Sequence, residues 1–270
     1  MTALNNKTYN KAEQFFNRIK EHCSNNDEYI IELLKARGFL LDVDSGSITI
    51  SDNSYWSDVC YLNEVILNYG LGELNGNVLT IYANADTKAY ENYFAEGIQI
   101  GATYDASGWG WRWFRNRIHG KKCPVKMLEH FIARYIKAIS ACGVCTVCSC
   151  DGNHKSMHKA HFLVDDPGSL VWHKSMWVNC LSRLFEINWD EDYLAFNFLE
   201  KDRYSTYYEI NRAAAFIYDH RLEFRQIKSK AFWDISASFL KHADDSEIEE
   251  RFYGNVSVLL KDWAKNIQVE

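Results

Sequence analysis

Apolar positions recur every three or four residues at the start of the chain. Phe15, Phe16, Ile19 and Cys23, with Lys and Glu between them, predict an amphipathic helix over 8–23. A second helix is expected over 27–37, stopped by Gly38. The period then falls to two. GFLLDVDSGSITIS places short apolar runs on either side of Asp44-Ser45-Gly46 and predicts a β-hairpin. Val59, Leu62, Ile66 and Leu67 restore helical spacing over 56–69, which ends in the glycine-rich GLGELNGN. That run follows a helix and lacks a GK[ST] ending, so it is no phosphate loop. Strands are expected at 78–82 and 98–102, with a short helix at 87–94 between them.

The second half begins with a helix from Pro124, proline being harmless in a first turn, and Met127, Phe131, Tyr135 and Ile136 face inward. GVCTVCS reads as a buried strand, followed by a polar loop, a second strand HFLVDD and a helix over 170–185. Asp190, Glu191 and Asp192 precede a strand, YLAFNFLE. Helices are expected over 204–224 and 230–240, and a last one from Ser246 with Glu249 as its capping-box partner. The fold class is α+β, a mixed sheet flanked by helices, with helical N- and C-terminal segments. A composition change near Asp105 divides an N-terminal region 1–105 from a C-terminal core 106–270, or leaves both in one continuous domain.

At 270 residues and 47% apolar content a sizeable core is expected. No run of eighteen apolar residues and no leader of signal type occurs, which points to a cytoplasmic protein without a membrane partner. Eight cysteines in that setting are expected to be reduced thiols. The net charge of −6 disfavours broad capture of duplex DNA and leaves room for a local anion site.

Two stretches carry chemistry. Residues 107–122, SGWGWRWFRNRIHGKK, contain no acid and interleave Trp109, Trp111, Trp113 and Phe114 with Arg112, Arg115, Arg117, Lys121 and Lys122. Rings stack on bases and guanidinium groups meet phosphates, so a phosphate-bearing small molecule or a single-stranded nucleic acid is the expected ligand. The bland alternative is a strand that buries the alternating tryptophans on one face. Residues 142–165 concentrate four cysteines and three histidines. Asp151 stands at the C-terminal tip of a strand, where α/β folds keep their sites, and His154 and His158 follow on the loop. Such a set can hold a divalent ion, zinc or manganese, and lower the pKa of its bound water for hydrolysis. Cys142, Cys145 and Cys148 have the C-x₂-C-x₂-C spacing of a cluster or cysteine zinc site, but strand geometry turns Cys145 and Cys148 to opposite faces and favours buried thiols. Asp42 and Asp44 form a D-x-D pair that could hold Mg²⁺ or be solvated turn acids.

The run from Ser156 through His158 to Asp165 resembles the S-x-H-x₆-D zinc motif of the D-alanyl-D-alanine carboxypeptidase and endolysin type of metallopeptidase. The resemblance implies His158 and Asp165 as zinc ligands and peptidase activity. His161 and Leu163 stand where that family favours Gly and Ala. Ser149-Cys150-Asp151-Gly152 also resembles the S-S-C-S-G motif of the tRNA-wybutosine-synthesising family. The leading expectation is a metal-assisted hydrolase or nucleotide-processing protein. Asp151 and His154 are its catalytic residues, His158, His161 and Asp165 its metal ligands, and Trp109, Trp111, Arg112, Arg115 and Arg117 hold its ligand. The alternative is a non-catalytic nucleotide or nucleic-acid binding module.

Overall fold

The computed structural model describes residues 4–97, 110–120, 123–152, 159–199 and 202–267. The architecture is α+β, with two separate four-stranded sheets, both antiparallel, in place of one mixed sheet.

Helix α1 (Leu4–Glu21) buries Phe15, Phe16 and Ile19, the stripe its spacing predicted. Helix α2 (Asn26–Ala36) starts where the Asn25 side chain accepts the N–H of Glu28, and it ends at Arg37 and Gly38. Gly38 has φ +103°, and a Cβ there would lie 3.0 Å from that of Ala133, so the turn needs glycine twice over. Strands β1 (Leu41–Asp44) and β2 (Ser47–Ile50) form the expected hairpin, with Ser45 and Gly46 both at positive φ as a two-residue turn demands. Helix α3 (Trp56–Asn68) leads into β3 (Gly72–Asn75), which pairs with β4 (Val78–Ile81). Half of the glycine-rich run is therefore strand. A Cβ on Gly72 would meet the carbonyl oxygen of Thr80 at 2.2 Å, so close pairing explains that glycine. The first sheet has the order β1-β2-β4-β3. Helix α4 (Lys88–Glu96) follows, and the strand expected at 98–102 lies outside the described residues.

Residues Trp111–Asn116 form a short helix, α5, not a strand. The helix expected from Pro124 is only a 3₁₀ turn (Val125–Met127), and α6 (Ala133–Ala141) begins later, because the N–H of Phe131 is used by Asp151. The second sheet has the order β5-β6-β8-β7, from β5 (Thr146–Cys150), β6 (His161–Val164), β7 (Ile187–Asp190) and β8 (Ala195–Phe198). Helix α7 (Pro167–Met176) is capped by Asp166 and runs into a π-helical turn (Trp177–Leu181), closed where Ser182 N–H donates to the Trp177 carbonyl at 2.9 Å. The long C-terminal helix expected over 204–224 is two, α8 (Arg203–Asp219) and α9 (Arg221–Ala231), broken at His220. Helix α10 (Ala237–His242) and α11 (Asp245–Ala264) complete the chain. The capping box of α11 uses Asp244 and Glu247, two residues before the pair expected from sequence.

Phe162, Phe196 and Phe198 project from the second sheet onto Tyr135 of α6 and His173 of α7, and the Phe162 and Phe196 rings stack at 5.0 Å. Each such ring contributes about 2–3 kcal/mol by leaving water. Buried apolar side chains from Ala12 to Leu260 join in one cluster, so residues on both sides of Asp105 share a core. Among the described residues no helix is long and apolar enough to cross a membrane.

Candidate functional site

The β5–β6 hairpin sets the geometry. Cys150 is opposite His161 at one end, Thr146 is opposite Val164 at the other, and the N–H of Asp165 donates to the Cys145 carbonyl at 2.8 Å. Six residues of extended chain separate Cys145 from Asp151, roughly 20 Å. Those of the residues singled out at 142–165 that are described fall at these two ends and do not form one constellation.

At the first end Asp151 is fully buried. Its Oδ2 accepts the N–H of Phe131 at 3.3 Å, its own N–H donates to the Glu129 carboxylate, and its carbonyl accepts the Tyr207 hydroxyl at 2.6 Å. The Tyr207 ring stacks on Phe131 at 4.4 Å, which fixes that hydroxyl. Glu129 is also buried, so two carboxylates share the tip of β5. Sequence reading missed Glu129 because it lies 22 residues away on the segment before α6. Burial, with Glu129 and Asp151 close by, pushes the Cys150 thiol up to about 11 against the lowering effect of the Gly152 N–H, which keeps it protonated. His161 sits at this end, but its Nδ1–H turns back to the Lys159 carbonyl at 3.0 Å. His154 and His158 lie outside the described residues.

At the second end Asp165 and Asp166 enter α7. Asp165 is buried, and its Oδ2 lies 3.8 Å from the Cys145 sulfur. Asp166 accepts the N–H and the hydroxyl of Ser169 at 2.7 and 2.9 Å, and the Ser169 oxygen accepts the Cys145 N–H at 2.9 Å. Burial lifts Asp166 to about 6, opposed by the Ser169 hydrogen bonds and by Lys228. Lys228 of α9 is buried too, and burial lowers its amine to about 7 against the pull of Asp166. Its Nζ donates to the carbonyls of Arg117 and Gly143 at 2.9 and 3.2 Å and sits 3.7 Å from the centre of the Phe114 ring.

Lys228 thus pins α5 to this second end. Trp111 and Phe114, three residues apart, face inward onto Phe232 and Phe252. Gly168 of α7 has no room for a Cβ against Phe114. Trp111, expected to stack on a ligand, is therefore a core residue and is corrected as such. Arg112 and Trp113 face solvent, the latter 63% exposed, and Arg115 and Arg117 are half-buried. Arg112 and Arg115 make no hydrogen bond or ion pair with a described residue. Trp109 lies outside the described residues.

The metal set read from sequence is split. His161 and Asp165 occupy opposite ends of β6 with side chains turned to different neighbours, so Asp165 is corrected out of any site shared with His161. Among the described residues no three His, Cys, Asp or Glu side chains converge as a metal shell would. The eight cysteines are free thiols, and the C-x₂-C-x₂-C run does not converge: Cys142 faces the Ile217 carbonyl and Cys145 faces Asp165. Asp42 is engaged by Arg221 at 3.1 Å and by the Tyr218 hydroxyl at 3.3 Å, while Asp44 accepts the Ser45 hydroxyl. Comparison with protein-family models, with curated proteins and with solved structures found no match for the chain.

Proposed function

We propose that the protein binds a phosphate-bearing ligand, a nucleotide or a single-stranded nucleic acid, on the outer face of α5. The observation that carries this reading is the pairing of an exposed ring, Trp113, with Arg112 and Arg115, two guanidinium groups without a partner among the described residues. A base stacks on the indole while phosphates meet the arginines, and Arg117 flanks them. Anchoring by Trp111, Phe114 and Lys228 holds the face rigid, which lowers the ordering cost of binding. The test is fluorescence anisotropy with a labelled single-stranded oligonucleotide and a labelled nucleotide. Trp113→Ala and Arg112→Ala/Arg115→Ala are each expected to weaken binding at least tenfold, about 1.4 kcal/mol, with unchanged thermal stability. Equal affinity in wild type and variants overturns the reading.

A second reading is metal-assisted hydrolysis at the tip of β5. It is favoured by the burial of Asp151 beside Glu129, next to the segment that carries His154 and His158. Asp151, His154 and His158 would hold a zinc or manganese ion, which supplies a water of lowered pKa. Elemental analysis of protein purified without chelator decides it: stoichiometric metal lost in His158→Ala is expected, and metal-free wild-type protein rules it out.

A further inference from the structure

The N-terminal half holds a second polar cluster, unrelated to either end of the hairpin. Arg37, at the end of α2, is fully buried and among the described residues pairs with no carboxylate. Its Nη1 donates to the Val125 carbonyl at 3.0 Å and its Nη2 to the Tyr61 hydroxyl at 3.4 Å, while Nε has no partner. The Tyr61 oxygen is hydrogen-bonded in turn to the Tyr93 hydroxyl. The hydroxyl of fully buried Tyr90, next along α4, has no partner either. The Tyr90 and Tyr93 rings stack at 5.9 Å, and half-buried Tyr69 and Tyr93 form the solvent side.

Hydrogen-bond counting shows what is missing. A guanidinium has five N–H donors and no acceptor, and a phenol brings one proton. Tyr61 accepts from Arg37, and one proton serves the Tyr61–Tyr93 bond whichever hydroxyl donates it, so the other of these two phenol protons, the Tyr90 proton and Arg37 Nε all need an acceptor. The neighbouring acids are taken. Asp58 accepts Val125 N–H and Lys137 at 2.7 and 2.6 Å, and Glu91 accepts Tyr29 and Thr87 at 2.9 and 2.8 Å. A buried cation without a counter-charge is costly, and a bridging water supplies an acceptor but no charge. Burial raises the phenols further, Tyr93 to about 12, so they remain donors at neutral pH.

We infer that Arg37, Tyr61, Tyr90 and Tyr93 bind a tetrahedral oxyanion of the phosphate type, entering past Tyr69 and Tyr93. The source is a free anion or the phosphate of a small organic molecule, and the experiment separates them. Thermal unfolding of the full chain is followed against inorganic phosphate, sulfate and adenosine 5′-monophosphate, with chloride holding ionic strength constant. A saturable rise with phosphate is expected, with the midpoint concentration raised roughly tenfold in Tyr90→Phe, the loss of one hydrogen bond to a charged group. Because the Tyr90 hydroxyl has no partner in the fold, Tyr90→Phe keeps its stability without phosphate. Arg37→Met abolishes the response; if that variant does not fold, Tyr90→Phe alone decides. A rise with the monophosphate that is also weakened by Tyr90→Phe identifies an organic phosphate, and a rise with inorganic anions alone identifies the free ion. The same midpoint in Tyr90→Phe and wild type, or no saturable rise, overturns the inference. So does loss of the response in Arg112→Ala/Arg115→Ala, which would place the anion on α5.

Discussion

The two ends of the β5–β6 hairpin each bury two acids and handle them differently. At the Asp165–Asp166 end a lysine, a serine and backbone groups surround the carboxylates, and the space is filled by Phe114, Gly168 and Cys145. At the Asp151 end the Glu129 carboxylate accepts the Asp151 N–H and the Asp151 carboxylate accepts the Phe131 N–H, and the sequence continues with two histidines. Acids enclosed by a lysine and a serine serve architecture, whereas acids held by backbone N–H groups at the tip of a strand stand where α/β folds keep their sites. Proximity in sequence concealed this, since Asp151 and Asp165 look like neighbours and lie about 20 Å apart.

The largest expected effect falls on α5, which the comparison assigns to the structural end on one face only. Trp111→Ala should cost about 3–5 kcal/mol in urea unfolding, the range for removing a buried aromatic ring. Trp113→Ala, on the opposite face, should stay within about 0.5 kcal/mol. Equal losses at the two positions would dissolve the distinction between them. Next is Lys228→Met, which leaves the Arg117 and Gly143 carbonyls unsatisfied and should cost about 2–4 kcal/mol by the same measurement. Asp151→Asn keeps an oxygen for the Phe131 N–H, so its stability should change by no more than about 1 kcal/mol.

The pH dependence sharpens the contrast. Asp166 has its folded pKa raised from 3.8 to about 6, so its contribution to stability is present below 3.8 and is lost as pH rises through 6. Lys228 has its folded pKa lowered from 10.5 to about 7, so its contribution is present above 10.5 and is lost as pH falls through 7. Their combined contribution is therefore lowest between about pH 6 and 7. Unfolding curves of wild type against Asp166→Asn/Lys228→Met from pH 5 to 9 should show that trough disappear in the double variant. A trough that persists assigns it to other groups.

Legibility from sequence followed the range of the interactions. The hairpin at Asp44-Ser45-Gly46 and the stripe of α1 were readable because period and turn chemistry are local. On α5 two local patterns competed: alternating tryptophans suggest a strand, Trp111 and Phe114 a helix, and packing on Phe232 and Phe252 decided for the helix. Strand β7 was missed because Ile187 and Trp189 alternate for too few residues beside an acidic run. The α8–α9 break at His220 has neither proline nor glycine to announce it. Of the site, Asp151 was legible as a strand tip, but its partner Glu129 and the pin Lys228 come from distant segments and only folding brings them in.

The π-helical turn after α7 works as a phase adjuster. A helix advances about 100° per residue, and one added residue inside a regular helix rotates everything after it by that angle unless a wider turn absorbs it. With the wide turn in place, α7 buries Trp172, His173 and Met176, and the chain beyond still directs Cys180, Leu181 and Phe185 inward while Ser182 and Arg183 face water. Deleting a single residue among 177–181 should therefore return the turn to regular α-helix and leave Phe185 inward and Arg183 in water, so this is the place where a one-codon loss should do less damage than elsewhere in α7.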